Sequence, residues 1–159
     1  MLKIFSFYFV VVVDLSKFNT SNAIDMNSIF KDCLKLQKLN LSYFYTNKVK
    51  NMRYMFENSN SLTTLDISRF NTKEVINMRG IFSTCEDINH LNHFDTSKVT
   101  DMSYMFKVCL FTNYIDIFSF DTSNVEDMYY MFGGTIYLSS VDISNFNTSK
   151  VIDNGIYVI

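Results

Sequence analysis

The hydrophobic positions of the chain alternate between two patterns. In residues 99–109, apolar side chains recur every three or four positions, which is the spacing of one helical face. In residues 62–70, Leu65 and Ile67 stand two apart around the polar Asp66, which is the alternation of a strand with one buried face. The chain is therefore predicted to alternate between a short helix or helical arc and a short strand.

These two patterns belong to an internal repeat. A phenylalanine that stands two residues before a threonine returns at intervals of 26, 26, 24, 26 and 26 residues. It occurs at Phe18, Phe44, Phe70, Phe94, Phe120 and Phe146. Seven positions after each of them stands Asp or Asn, and methionine follows in five copies. One unit of this length cannot bury its own apolar side, but stacked copies share a continuous core.

The repeat sets the predicted domain organisation. Residues 1–159 are expected to form a single α/β repeat solenoid, with one short parallel strand and one short helix or helical arc in each copy. The copies are residues 18–43, 44–69, 70–93, 94–119 and 120–145, with a partial repeat at each end. Both ends, IFSFYFVVVVDL and GIYVI, are apolar and lack polar caps, so we expect a fragment of a longer array.

The full set of columns resembles a known repeat family. The series Phe-Asp/Asn-Thr-x-x-Val-x-Asp/Asn-Met-x-x-Met-Phe-x-x-Cys-x-x-Leu-x-x-Leu-Asp-Leu/Ile-Ser is similar to the BspA-like leucine-rich repeat of large bacterial and protist surface proteins. The resemblance implies a leucine-rich-repeat-like fold, a cell-surface or secreted location, and adhesion or protein binding without catalytic residues. The chain departs from the pattern in its third copy, which is two residues short, and at Thr112 and Asn154.

Composition argues against nucleic acid and a membrane span. The net charge of −2 comes from 16 acidic and 14 basic residues scattered along the chain, so no basic patch is available for phosphates. The apolar run at residues 4–13 is too short to cross a bilayer, which needs roughly 20 residues. Two interpretations of residues 1–13 stay open: a secretory signal without a small-residue cleavage site, and a buried first strand rich in valine.

The outward positions of the predicted strands form the candidate binding face, because stacking fixes the core columns and only outward residues differ between copies. This face consists of Asp66, Ser68, Asp116, Phe118, Asp142 and Ser144. Phe118 stands where other copies carry serine, near Tyr114, and would anchor a protein ligand, with a glycan as the alternative. The opposing hypothesis makes Phe118 extra core, accommodated by Thr112.

The sulfur-containing side chains are predicted to be structural. One column contains Cys33, Ser59, Cys85, Cys109 and Thr135. A column shared by these types favours a small buried residue, and a disulfide between Cys85 and Cys109 on adjacent copies is the competing hypothesis. The methionine columns also accept Ile29 and Ile81, which pack but cannot ligate copper.

The chain is predicted to be a non-enzymatic surface scaffold for protein interaction or adhesion, with no cofactor. No nucleophile with a neighbouring base and no phosphate-binding glycine loop is found in the sequence. One alternative is a structural spacer within a larger surface protein, without a ligand of its own. A less favoured one is a metal-binding or enzymatic protein that uses His90 and His93, beside Glu86 and Asp87 in the shortened copy.

Overall fold

The computed structural model describes residues 11–62, 64–86, 88, 91–110, 112–152 and 155. Its strands are β1 (Val12–Val13), β2 (Lys38–Leu39), β3 (Thr64–Leu65), β4 (Tyr114–Ile115) and β5 (Ser140–Val141). They pair in parallel as one sheet of order β1-β2-β3 and a second sheet of order β4-β5. Residues 87, 89 and 90 of the third copy lie outside the described residues, so the two sheets are described separately.

The predicted α/β fold with a helix or helical arc in each copy is wrong. The described residues contain no helix, and each strand is only two residues long. Residues 99–109, which carry the helical spacing, form a bridge and a run of turns instead. The leucine-rich-repeat-like architecture that the resemblance implied, with a strand and a helical arc in each copy, is therefore wrong as well.

The hydrogen bonds explain why the turn segment is not a helix. The amide of Tyr54 donates to the carbonyl of Arg79 in the next copy (2.8 Å), whereas that of Met55 donates to Met52 in its own turn (3.1 Å). The amide of Phe56 again reaches the next copy, at Ile81 (3.0 Å). Alternate amides therefore bond between copies, and the continuous i to i−4 ladder of a helix cannot form.

Two backbone positions in each copy adopt a positive φ. They are Ser28, Tyr54, Gly80, Tyr104 and Tyr130 in one column and Asp32, Asn58, Thr84, Val108 and Gly134 in the other. A turn whose third residue has a positive φ is of type II, which favours Gly or Asn at that place. Only Gly80 and Gly134 are glycines, so most copies hold an ordinary side chain in the left-handed region.

Val108 is the least suited of these residues: at φ 56° it is β-branched like Thr84 but lacks the hydroxyl by which Thr84 bonds the Ser83 carbonyl. We expect Val108→Asn to raise the free energy of unfolding by about 0.5–1 kcal/mol, since Asn tolerates this region and Val does not. Chemical denaturation would measure the change. Leu110→Asn, at a partly buried site outside the positive-φ columns, is the matched control and should give no gain. If Val108→Asn lowered the free energy of unfolding as much as Leu110→Asn, the backbone at Val108 would not be strained.

Backbone bridges between copies hold the turn segments in register. Parallel bridges join Asp25, Asn51, Asn77, Asp101 and Asp127 across five copies. Each of these residues also accepts a hydrogen bond on Oδ1 from the amide two positions later, at 2.8–3.1 Å. This Asx turn starts the turn segment in every copy.

The core lies between the strands and the turn segments. Its centre is a column of parallel phenylalanine rings, with centroids 5.6–6.0 Å apart. The rings are those of Phe30, Phe56, Phe82, Phe106 and Phe132, all fully buried. Methionines flank them, as the column of the sequence indicated, and pack without solvent exposure. The repeats therefore share one continuous apolar interior.

Candidate functional site

The strand side of the repeats carries the predicted binding face. Asp66, Ser68, Asp142 and Ser144 are exposed, and Asp116 is half-buried. The amide of Ser68 donates to Asp66 Oδ1 (3.0 Å), and Ser68 Oγ donates to the same atom (2.6 Å). The amide of Ser144 donates likewise to Asp142 Oδ1 (2.9 Å). Four of the six predicted residues thus engage one another in local turns.

These turns also set the charge of the face. Hydrogen bonds from the Ser68 side chain and amide lower the pKa of Asp66, and the corresponding bonds from Ser144 lower the pKa of Asp142. Both carboxylates stay ionised near neutral pH, although each already has local donors. Their first role is to fix the chain after the strand, and a ligand would compete with these bonds.

Phe118 is the exception on this side. Its side chain is 60% exposed, next to Tyr114 at 51%, whereas Ile115 and Ile117 point into the core. The opposing hypothesis that Phe118 adds to the core is therefore wrong for Phe118, although Phe120 is buried. Tyr114 in β4 and Phe118 shortly after it are the two large aromatic side chains that this segment presents to solvent.

The turn side of the repeats carries a second cluster, which the sequence analysis missed. We call it the Arg79 groove, a depression of about 260 Å³. It is lined by Tyr54, Glu57, Arg79, Ser83, Tyr104 and Lys107. These residues come from three successive copies and occupy neighbouring columns of the repeat. Their columns could have revealed the groove, because they vary between copies and combine aromatic with cationic side chains.

Arg79 is held in place from several sides. Its Nε donates to Tyr54 Oη (2.8 Å) and its Nη1 donates to Ser103 Oγ (2.7 Å). The guanidinium lies 4.7 Å from the ring centroid of Tyr104, and Nη1 lies 3.6 Å from a carboxylate oxygen of Asp127. The tyrosine ring and the two hydroxyl groups therefore hold the guanidinium in one orientation.

A glycine makes room for this arrangement. A Cβ atom at Gly80 would lie 2.4 Å from the Tyr54 ring, so the ring rests directly on the backbone of the third copy. The φ of Gly80 is also positive, at 56°. The absence of a side chain at Gly80 therefore allows the Tyr54 ring to take the position in which its hydroxyl accepts the hydrogen bond from Arg79.

The groove has a locally positive field. Burial raises the pKa of Tyr54, but hydrogen bonds from Arg79 and Arg53 and their charges outweigh burial and lower it. Burial lowers the pKa of Arg79, but the Tyr54 hydrogen bond and nearby carboxylates outweigh burial and raise it. The Arg79 shift favours the charged guanidinium, and the Tyr54 shift favours ionisation of the hydroxyl group that contacts it.

The cysteine column is structural in this fold. Cys85 and Cys109 are buried thiols rather than a disulfide. The Cys85 thiol donates to the Phe56 carbonyl (3.0 Å) and the Cys109 thiol to the Phe82 carbonyl (3.2 Å). Burial raises the pKa of Cys85 well above its usual value and that of Cys109 to about 12. Neither thiol is activated for nucleophilic chemistry.

The histidine hypothesis falls partly on residues that the structure does not describe, among them Asp87. His90 lies outside the described residues, and His93 Nε2 lies 3.0 Å from the Ile67 carbonyl oxygen. Within the described ranges, no group of three or more His, Cys, Asp or Glu side chains is placed to hold a metal ion. Among the same residues, no helix has the length and apolarity to cross a membrane. Residues 1–10 also lie outside the description, while Val12 and Val13 pair with β2.

Comparison with known proteins gives one family. The family model described as a Mycoplasma protein of unknown function, DUF285, matches residues 1–91 and again residues 86–155. The double match agrees with the internal repeat. No curated protein and no solved structure matches the chain significantly.

Proposed function

Since the chain belongs to the Mycoplasma repeat family of unknown function, DUF285, we propose that it is a non-enzymatic repeat scaffold that binds a protein partner through its strand side. The supporting observation is the exposure of Phe118 in a column where other copies carry Ser42, Ser68 and Ser144, together with the exposure of Tyr114 four residues before it. Aromatic anchors surrounded by polar residues are typical of protein interfaces.

The proposal also covers the cellular location of the protein and its relation to BspA-like repeats. The column pattern of the sequence resembles the BspA-like surface-protein repeats, and on this ground we propose a location on a cell surface or in the secreted fraction. The same pattern associates it with adhesion. These statements rest on the motif series and are tested by surface labelling of intact cells with an antibody to the chain.

The strand side supplies the chemistry for such binding. Phe118 offers an apolar ring, and Tyr114 offers a ring with a hydroxyl group. Between them in the sequence, Asp116 supplies a half-buried carboxylate. The side-chain amide of Asn145 donates to the Phe118 carbonyl, which ties this segment to the next copy. A partner with a shallow apolar pocket and a basic rim is complementary to this surface.

We expect Phe118→Ser to weaken binding about tenfold while leaving Tm unchanged, because an exposed anchor contributes to the interface and not to the core. The measurement is surface plasmon resonance against a panel of purified host extracellular-matrix and surface proteins, together with a thermal melt. Ile76→Ser is the matched control, since Ile76 is an exposed apolar residue (42%) of a turn segment.

The outcomes separate the alternatives. A partner that loses affinity with Phe118→Ser but not with Ile76→Ser supports the strand side as the binding surface. If Phe118→Ser and Ile76→Ser weakened binding equally, Phe118 would not anchor the partner and the strand side would not be the binding surface. A folded protein that binds no member of the panel favours the spacer hypothesis, in which the chain only extends a larger protein.

A further inference from the structure

Two donor groups in the Arg79 groove are not used by the fold. Lys107 Nζ lies 5.4 Å from the ring centroid of Tyr104 and 5.9 Å from that of Tyr130, and no described residue accepts a hydrogen bond from it. Arg79 uses Nε and Nη1, whereas Nη2 has no acceptor among the described residues. The ammonium and one guanidinium nitrogen therefore keep hydrogens available at the groove.

These donors are fixed rather than freely mobile. The Arg79 guanidinium is stacked on Tyr104 and bonded to Tyr54, and the Lys107 ammonium lies near two rings. Ring contacts of this kind leave the charge intact and orient the cation. A ligand anion would meet positioned donors and would lose less side-chain entropy on binding.

The surrounding charges limit how much negative charge the groove accepts. The cations are Lys31, Arg53, Arg79 and Lys107, and the carboxylates are Glu57, Asp101 and Asp127. Lys31 pairs with Glu57, and Asp127 lies 3.6 Å from Arg79. The excess is a single positive charge. This balance suits one carboxylate and disfavours polyanions such as nucleic acids or sulfated glycans, which need an extended positive surface.

We infer that the Arg79 groove binds a glutamate or aspartate side chain of an acidic peptide segment, with Lys107 Nζ and Arg79 Nη2 as the donors to its carboxylate. This site lies on the turn segments and is separate from the strand side proposed above. A groove of about 260 Å³ has room for one such side chain and adjacent backbone. The partner is thus a protein with an exposed acidic loop or tail.

The test is an NMR titration of the full chain with the peptide acetyl-Gly-Glu-Gly-Glu-Gly-amide. We expect saturable shifts of the amide signals of residues 54–57, 79–83 and 104–107, and no such shifts with the same peptide carrying glutamine. Lys107→Gln should raise the dissociation constant about tenfold, as expected for the loss of one charge-assisted hydrogen bond. Because Lys107 has only ring contacts, the variant should keep the wild-type melting temperature.

Lys48→Gln is the matched control, since it removes the same charge from an exposed lysine that bonds only Asn22. An equal loss with both variants would show a general charge effect and overturn the site. Shifts with a sulfated disaccharide but not with the peptide would overturn the acidic-peptide assignment. Unchanged spectra with every probe would overturn the anion site altogether.

Discussion

Phe106→Ala is expected to lower the free energy of unfolding by about 3–5 kcal/mol. The ring is fully buried and stacks between Phe82 (6.0 Å) and Phe132 (5.6 Å). Its removal leaves a cavity with rings above and below, and these rings cannot close the gap because hydrogen bonds between copies fix their spacing. Denaturant titration followed by circular dichroism would measure the loss.

Phe118→Ala is the matched control for this effect, because the same atoms are removed from a side chain that is 60% exposed. We expect a change of less than about 1 kcal/mol there. If both variants lost the same stability, the column of rings would not be the core of the stack.

Thr46→Val is expected to lower the free energy of unfolding by about 2–3 kcal/mol. Thr46 is buried, and its Oγ1 donates to the Asn71 carbonyl (2.9 Å) while accepting from the Asn71 amide (2.8 Å). Valine has the same shape, so packing is retained and both backbone groups of Asn71 lose their partner. Equivalent hydroxyls at Thr20 and Thr122 join other copies in the same way.

Two controls locate the cause of this loss. Thr46→Ser keeps the hydroxyl and should retain most of the stability. Thr100→Val removes a hydroxyl with one long bond to the Ile76 carbonyl (3.4 Å), and we expect it to cost less than about 0.5 kcal/mol. A large loss for Thr46→Ser would assign the effect to the methyl group.

The sequence allowed the core columns to be predicted, but not the local backbone. The spacing of Met102, Met105 and Phe106 is the same for a helix and for a run of turns, because both bring every third or fourth side chain to one face. What distinguishes them is the positive φ at Tyr104 and Val108. Neither residue type signals that conformation, so the helix was predicted wrongly.

The two candidate sites differ in how far the sequence could reveal them. Alternation along one strand segment predicted an outward position for Phe118, with a core position as the open alternative. The Arg79 groove depends on contacts between residues 25 positions apart, such as Arg79 with Tyr54, which form only when the copies stack in register. The columns of the repeat show which residues become neighbours. They do not show how the rings are oriented or that the Tyr54 ring packs on Gly80.

The parallel bridges of the turn segments have a mechanical consequence. When the two ends of the stack are pulled apart, the interfaces between copies lie in series, so each carries the same load. The bridges that join Asp25, Asn51, Asn77, Asp101 and Asp127 cross four successive interfaces. The turn segments therefore bear part of the load at each of these interfaces through backbone hydrogen bonds.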